Sequence, residues 1–90
     1  MDNNVKNGGV EVMGKIHEIN GKNFEELTKF AEEGDCILIV NALPIGTQSY
    51  SENEVFTVEY VYGGDCYVKE EIGEHGWIDS HEYIVVKEYQ

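Results

Sequence analysis

Gly34-Asp35-Cys36-Ile37-Leu38-Ile39-Val40-Asn41 is the stretch that decides the fold. Residues 36–40 are apolar at consecutive positions. Successive side chains of a strand point to opposite faces, so a run without alternation must be covered on both. Gly34-Asp35 before it and Asn41 after it are turn formers that confine it to strand length. The run therefore predicts a short central strand with a second layer on each side.

Working outward, the chain after it keeps the texture of strands. Residues 54–62 alternate, with Phe56, Val58, Tyr60 and Tyr62 expected on one face and Val55, Thr57, Glu59 and Val61 on the other. Gly63-Gly64 marks a tight turn before a third strand at 65–70. Residues 77–79 form a fourth, 80–82 a single helical turn, and 83–87 a fifth. A long connection, 41–53, holds Pro44, the only proline. Five short strands in this order predict a mainly β, SH3-like small barrel, whose closure removes exposed edges. Its expected core is Ile37, Ile39, Phe56, Val58, Val68 and Val85.

Working back toward the N-terminus, Asn20-Gly21 is a turn dipeptide. Asn23 and Glu26 have the spacing of a capping box, and Phe24, Leu27, Phe30 and Ala31 recur at helical intervals before Gly34. This pattern predicts one short α-helix over 24–33, packed on the outside of the barrel through Phe24, Leu27 and Phe30. Residues 1–12 are rich in Asn and Gly and lack apolar periodicity. They read either as a disordered tail or as an extension upstream of a natural start at Met13, because Gly8-Gly9-Val10 can be encoded by a ribosome-binding sequence. Residues 13–90 then form the single domain.

Three segments carry a resemblance. Residues 34–42, the run Glu54-Val55-Phe56-Thr57-Val58, and Asp79-Ser80-His81-Glu82-Tyr83-Ile84-Val85-Val86 resemble small SH3-like barrel proteins of phages infecting Bacillus and related hosts. The resemblance spans residues 34–87 and implies the fold and a viral origin, without implying an activity.

Composition narrows the functions. Eighteen carboxylates face six amines, a formal charge of −12, and all six cations are Lys. Nucleic-acid binding relies on cations that displace counterions from phosphates and on Arg forks at base edges, so direct DNA or RNA binding is not expected. The same charge disfavours anionic membranes, and no stretch has the length of an apolar span. A cytoplasmic location is expected (the host cytoplasm for a viral protein), with Cys36 and Cys66 as thiols.

The candidate chemistry is sparse. Asp79-Ser80-His81 are consecutive, and consecutive side chains diverge rather than converge as a triad must; a capped turn explains them. Cys36, Cys66, His75 and His81 lack zinc-ligand spacing. No cofactor and no enzymatic activity are expected. Leu43 and Ile45 flank Pro44 in the long loop, Tyr50 is close in sequence, and Trp77 follows a turn; apolar and aromatic anchors in a polar rim are what protein interfaces use. Glu70, Glu71 and Glu74, with Glu52, Glu54 and Glu59, supply an acidic surface that would steer a basic partner. The expected function is a phage or prophage module that binds and modulates a host protein by its basic surface, in the manner of a nucleic-acid mimic. The alternative is a structural or assembly protein acting as a homo-oligomer, a homodimer at its smallest, or a virion accessory.

The N-terminal reading is directly testable: a chain beginning at Met13 is expected to melt at the same temperature as the full chain in differential scanning calorimetry. A fall of several degrees would show that residues 1–12 pack.

Overall fold

The computed structural model describes residues 14–68, 72–73 and 75–89. Asn20 and Gly21 decide the N-terminal part. Both have positive φ, 53° and 83°, the pair of left-handed residues that a two-residue hairpin turn demands. They join β1 (Ile16–Ile19) to β2 (Lys22–Leu27) in antiparallel register, with Ile19 opposite Lys22 and His17 opposite Phe24. The expected helix over 24–33 is thus corrected. Residues 22–27 are a strand, and the described residues contain no helix.

The apolar spacing that suggested a helix has a different cause. Residues three apart in a strand lie on opposite faces. Phe24 packs on one face of the sheet with Leu38 and Val86, and Leu27 packs on the other against the main core. Phe30, expected beneath a helix, is 92% exposed. The capping-box spacing of Asn23 and Glu26 was overridden by pairing of β2 with both β1 and β8 (Tyr83–Tyr89), a tertiary effect that routinely outweighs local propensity.

The described residues form eight strands in two antiparallel sheets. One runs β1-β2-β8-β3-β4, with β3 at Cys36–Ile39 and β4 at Val55–Thr57. The other runs β5-β6-β7, formed by Tyr60–Tyr62, Asp65–Tyr67 and Trp77–Ile78. The central run behaves as its pattern requires at residues 37–39, whereas Val40, expected to be covered with them, lies past the end of β3 and is 44% exposed. Ile37, Leu38 and Ile39 are each essentially inaccessible. Ile37 and Ile39 belong to the core between the sheets, with Phe56, Val58, Val68, Ile78 and Val85. Leu38 belongs to the cluster on the opposite face, where Phe24 and Ile19 of the β1–β2 hairpin take the place assigned to a helix.

The alternation expected through 54–62 breaks at its middle. Phe56 and Val58 are buried, yet Tyr60 and Tyr62 are exposed and Val61 turns to the core. The backbone shows why. Val58 N–H donates to Asp35 O, while Glu59 N–H donates to Tyr67 O on β6, both at 2.8 Å. The chain changes sheets between these two residues, and a one-residue change of phase sends every later side chain to the opposite face.

Two substitutions separate the strand from the helix reading. Phe24→Ala is expected to destabilise by about 3 kcal/mol through lost burial and a residual cavity, whereas Phe30→Ser should stay within about 0.5 kcal/mol. Urea denaturation of both variants measures the difference; equal costs would mean that the two rings share a buried face.

Candidate functional site

The long connection 40–54 is fastened by two buried polar side chains, Glu82 and Gln48. Glu82 begins the approach to β8. Its backbone carbonyl accepts from Val40 N–H at 2.8 Å and Asn41 N–H at 3.1 Å. Its Oε1 accepts from Leu43 N–H at 2.9 Å and from the Tyr50 hydroxyl, and its Oε2 accepts from Asp79 N–H at 2.9 Å. A carboxyl group buried without a cation needs several donors to replace its lost hydration, and here donors reach it from the loop and from its own turn.

Gln48 does the same on the other side of the loop. Its Oε1 accepts from Ile45 N–H at 2.7 Å, and its amide donates to the carbonyls of His75 and Trp77, both at 2.9 Å. His75 Nδ1 lies 3.0 Å from the same amide and accepts from Trp77 N–H at 3.3 Å. Close by, Ser49 N–H donates to Ile72 O at 2.7 Å. Gly73, at φ +127°, lies so near the loop that a Cβ there would stand 2.8 Å from Thr47 O; only glycine tolerates both the backbone angle and the approach.

Between these fastenings Leu43 and Ile45 point outward, 53% and 70% exposed. Their own N–H groups are the ones held by Glu82 and Gln48. The structure thus keeps these two expected anchors together on one ordered loop. Tyr50, expected beside them at the surface, is instead buried: its ring meets Phe56 edge-on at 6.5 Å between centroids. Burial first, and then the hydrogen bond to Glu82, push its phenol well above the ordinary tyrosine range. Tyr83 is shifted the same way, by burial and then by Cys66. Trp77 is half-buried on the outer face of the three-stranded sheet, 5.3 Å from the Tyr67 ring. Glu70, Glu71 and Glu74 lie outside the described residues.

The remaining candidates resolve into turns and core. Asp79 Oδ2 accepts from His81 N–H at 3.0 Å and meets His81 Nδ1 at 2.9 Å, which holds its carboxyl below the usual range. The imidazole is turned toward Asp79 and is largely exposed, so these residues cap a turn. Cys66 is a buried thiol raised by desolvation, and Cys36 is a half-buried one. Among the described residues no three His, Cys, Asp or Glu side chains converge as a metal-binding group, and no helix is long and apolar enough to cross a membrane.

Known protein families, curated proteins and solved structures yield no match to the chain. The site is therefore read from its own geometry. Neither Glu82 nor Gln48 stands out in the sequence, because a polar residue in a turn or loop is ordinarily solvated. Trp77 meets the half-buried Tyr67, which in turn meets the exposed Tyr60; this row was hidden by the expectation that Tyr60 continues the inward face of Phe56.

Two outcomes test the fastening. Glu82→Ala should destabilise by roughly 2–4 kcal/mol, because it leaves Leu43 N–H, Asp79 N–H and the Tyr50 hydroxyl without an acceptor. Crystallography or amide exchange should then find residues 41–50 loosened. The tyrosines set a pH dependence. Below about pH 10 folded and unfolded chains both keep the phenolic protons; above it only the unfolded chain releases them, so stability falls as pH rises. Melting temperature should decline from about pH 10 upward. Tyr50→Phe should start lower at neutral pH and decline less steeply.

Proposed function

We propose that the chain is a non-enzymatic binding module that modulates a partner protein, with Leu43 and Ile45 as its apolar anchors. One observation carries this reading. Two buried polar groups, Glu82 and Gln48, are spent on holding the backbone of the two residues whose side chains are left in solvent. Hydrophobic side chains held outward on an ordered loop lose little entropy on binding, which is where affinity is gained.

The connectivity supports an SH3-like barrel as the frame. A first strand, β3, pairs with both β4 and the last strand β8. A long loop separates β3 from β4, the strand bends into a second sheet, and glycines at φ 59° and 90° make the turn from β5 to β6. A turn at 79–82 then returns the chain to β8. The β1–β2 hairpin is an addition to that frame. The phage resemblance points to a host protein as the partner, and the charge of −12 points to a basic surface on it.

Affinity capture from host lysate tests this. A single dominant protein should be retained and should elute as salt rises. Ile45→Ala should quicken its dissociation roughly ten-fold, equivalent to about 1.4 kcal/mol, with the melting temperature unchanged. Capture unaffected by changes at both Leu43 and Ile45 would move the interface elsewhere. An apparent mass by light scattering that exceeds one chain and rises with concentration in the absence of a partner would favour the assembly role instead.

A further inference from the structure

The outer face of the β5–β6–β7 sheet is aromatic from edge to edge. Tyr60 pairs with Tyr67, and Tyr67 with Trp77, in cross-strand register. Their rings follow one another at 5.7 Å and 5.3 Å between centroids. The row is open to solvent at one end, where Tyr60 is 59% exposed and Tyr62, on the same face, is 80% exposed. Aromatic rows of this kind are ordinarily covered, because exposed apolar area of this extent on a small chain favours association.

The surroundings of the row are acidic. Asp65 stands directly opposite Tyr62. Beside Tyr60 opens a groove of about 380 Å³, with Ala31 and Val61 at its floor and Glu32 and Glu33 at its rim. Among the described residues Lys29 does not offset them fully, since its Nζ is engaged by Asp35 at 2.8 Å and lies 3.9 Å from Glu32. Ring faces carry negative quadrupole density and attract cations, most of all the planar guanidinium. Carboxylates at the end of such a row add a charge of the same preference.

We infer that this face is a docking surface for an arginine- or lysine-bearing segment of a partner polypeptide, its cation lying against Tyr60 and Tyr62 and reaching Glu32 and Glu33. Other occupants fit the chemistry less well. Single-stranded nucleic acid would find rings to stack on, but its phosphates would meet Glu32, Glu33 and Asp65. A second copy of this chain would bring another charge of −12. The surface shares no residue with the loop carrying Leu43 and Ile45, so it stands or falls independently of that loop's role.

The single tryptophan, Trp77, reports from inside the row. Its fluorescence should be titrated with a capped peptide of alternating arginine and glycine, with the same peptide carrying citrulline for arginine, and with an oligothymidylate. The arginine peptide should change the emission saturably, with weaker binding as salt rises. Tyr60→Leu should weaken it roughly 3–30-fold, and Glu33→Gln should flatten the salt dependence. A Leu43→Ser, Ile45→Ser double variant should bind the peptide as the parent does, which separates this surface from the loop. Citrulline peptide binding as tightly as arginine peptide, tighter binding of the oligonucleotide, or an unchanged affinity in Tyr60→Leu would each overturn the inference.

Discussion

The buried carboxyl group of Glu82 is the constraint on which the upper part of this molecule depends. It is 3% exposed and no cation neutralises it among the described residues. Such a group is tolerated inside a protein only when donors converge on it. They come from Leu43 and Tyr50 in the long loop and from Asp79 in the adjoining turn. Its backbone carbonyl meanwhile accepts from Val40 and Asn41 as the chain leaves β3. A loop that moved away would strand these groups together, so it has one favourable position. This is how a chain with a thin core keeps a long connection ordered.

A second constraint works through the backbone alone. The change of sheet between Val58 and Glu59 lets one continuous segment belong to both layers. Its first half gives Phe56 and Val58 to the core, and its second half gives Val61 to the core and turns Tyr60 and Tyr62 outward. The aromatic face and the exposed apolar pair of the loop, Leu43 and Ile45, thus have separate origins. Leu43 and Ile45 are exposed on a loop whose backbone is held by buried polar groups; the tyrosines are exposed because the strand changed phase.

Much of the fold was legible because it follows from burial. The apolar run 36–40 required cover on both faces, and Ile37, Leu38 and Ile39 have it, while Val40 at its end does not. All six expected core residues are buried. The helix over 24–33 failed because a spacing of three satisfies one helical face and equally two opposite strand faces. The discriminating signal was Asn20-Gly21, whose two left-handed residues commit the next segment to hairpin pairing. Of the site, Leu43 and Ile45 were legible as apolar residues around a proline in a long loop. Tyr50 was not, because a tyrosine has an apolar body and a polar tip and its depth depends on whether a buried acceptor meets the hydroxyl.

The sequence by itself determined a mainly β chain with a doubly covered central strand, its core positions, and a net charge of −12. These follow from local pattern and net charge, which need no knowledge of which segments meet. Tertiary structure alone decided that 22–27 pairs as a strand, that Glu82 and Gln48 leave solvent, and that Tyr60 faces out while Phe56 faces in. Each depends on hydrogen bonds between residues far apart in the chain: β2 with β8, Gln48 with His75 and Trp77, Val58 with Asp35. Such pairings are set by which donors and acceptors the folded chain leaves unmatched, and no local pattern carries that information.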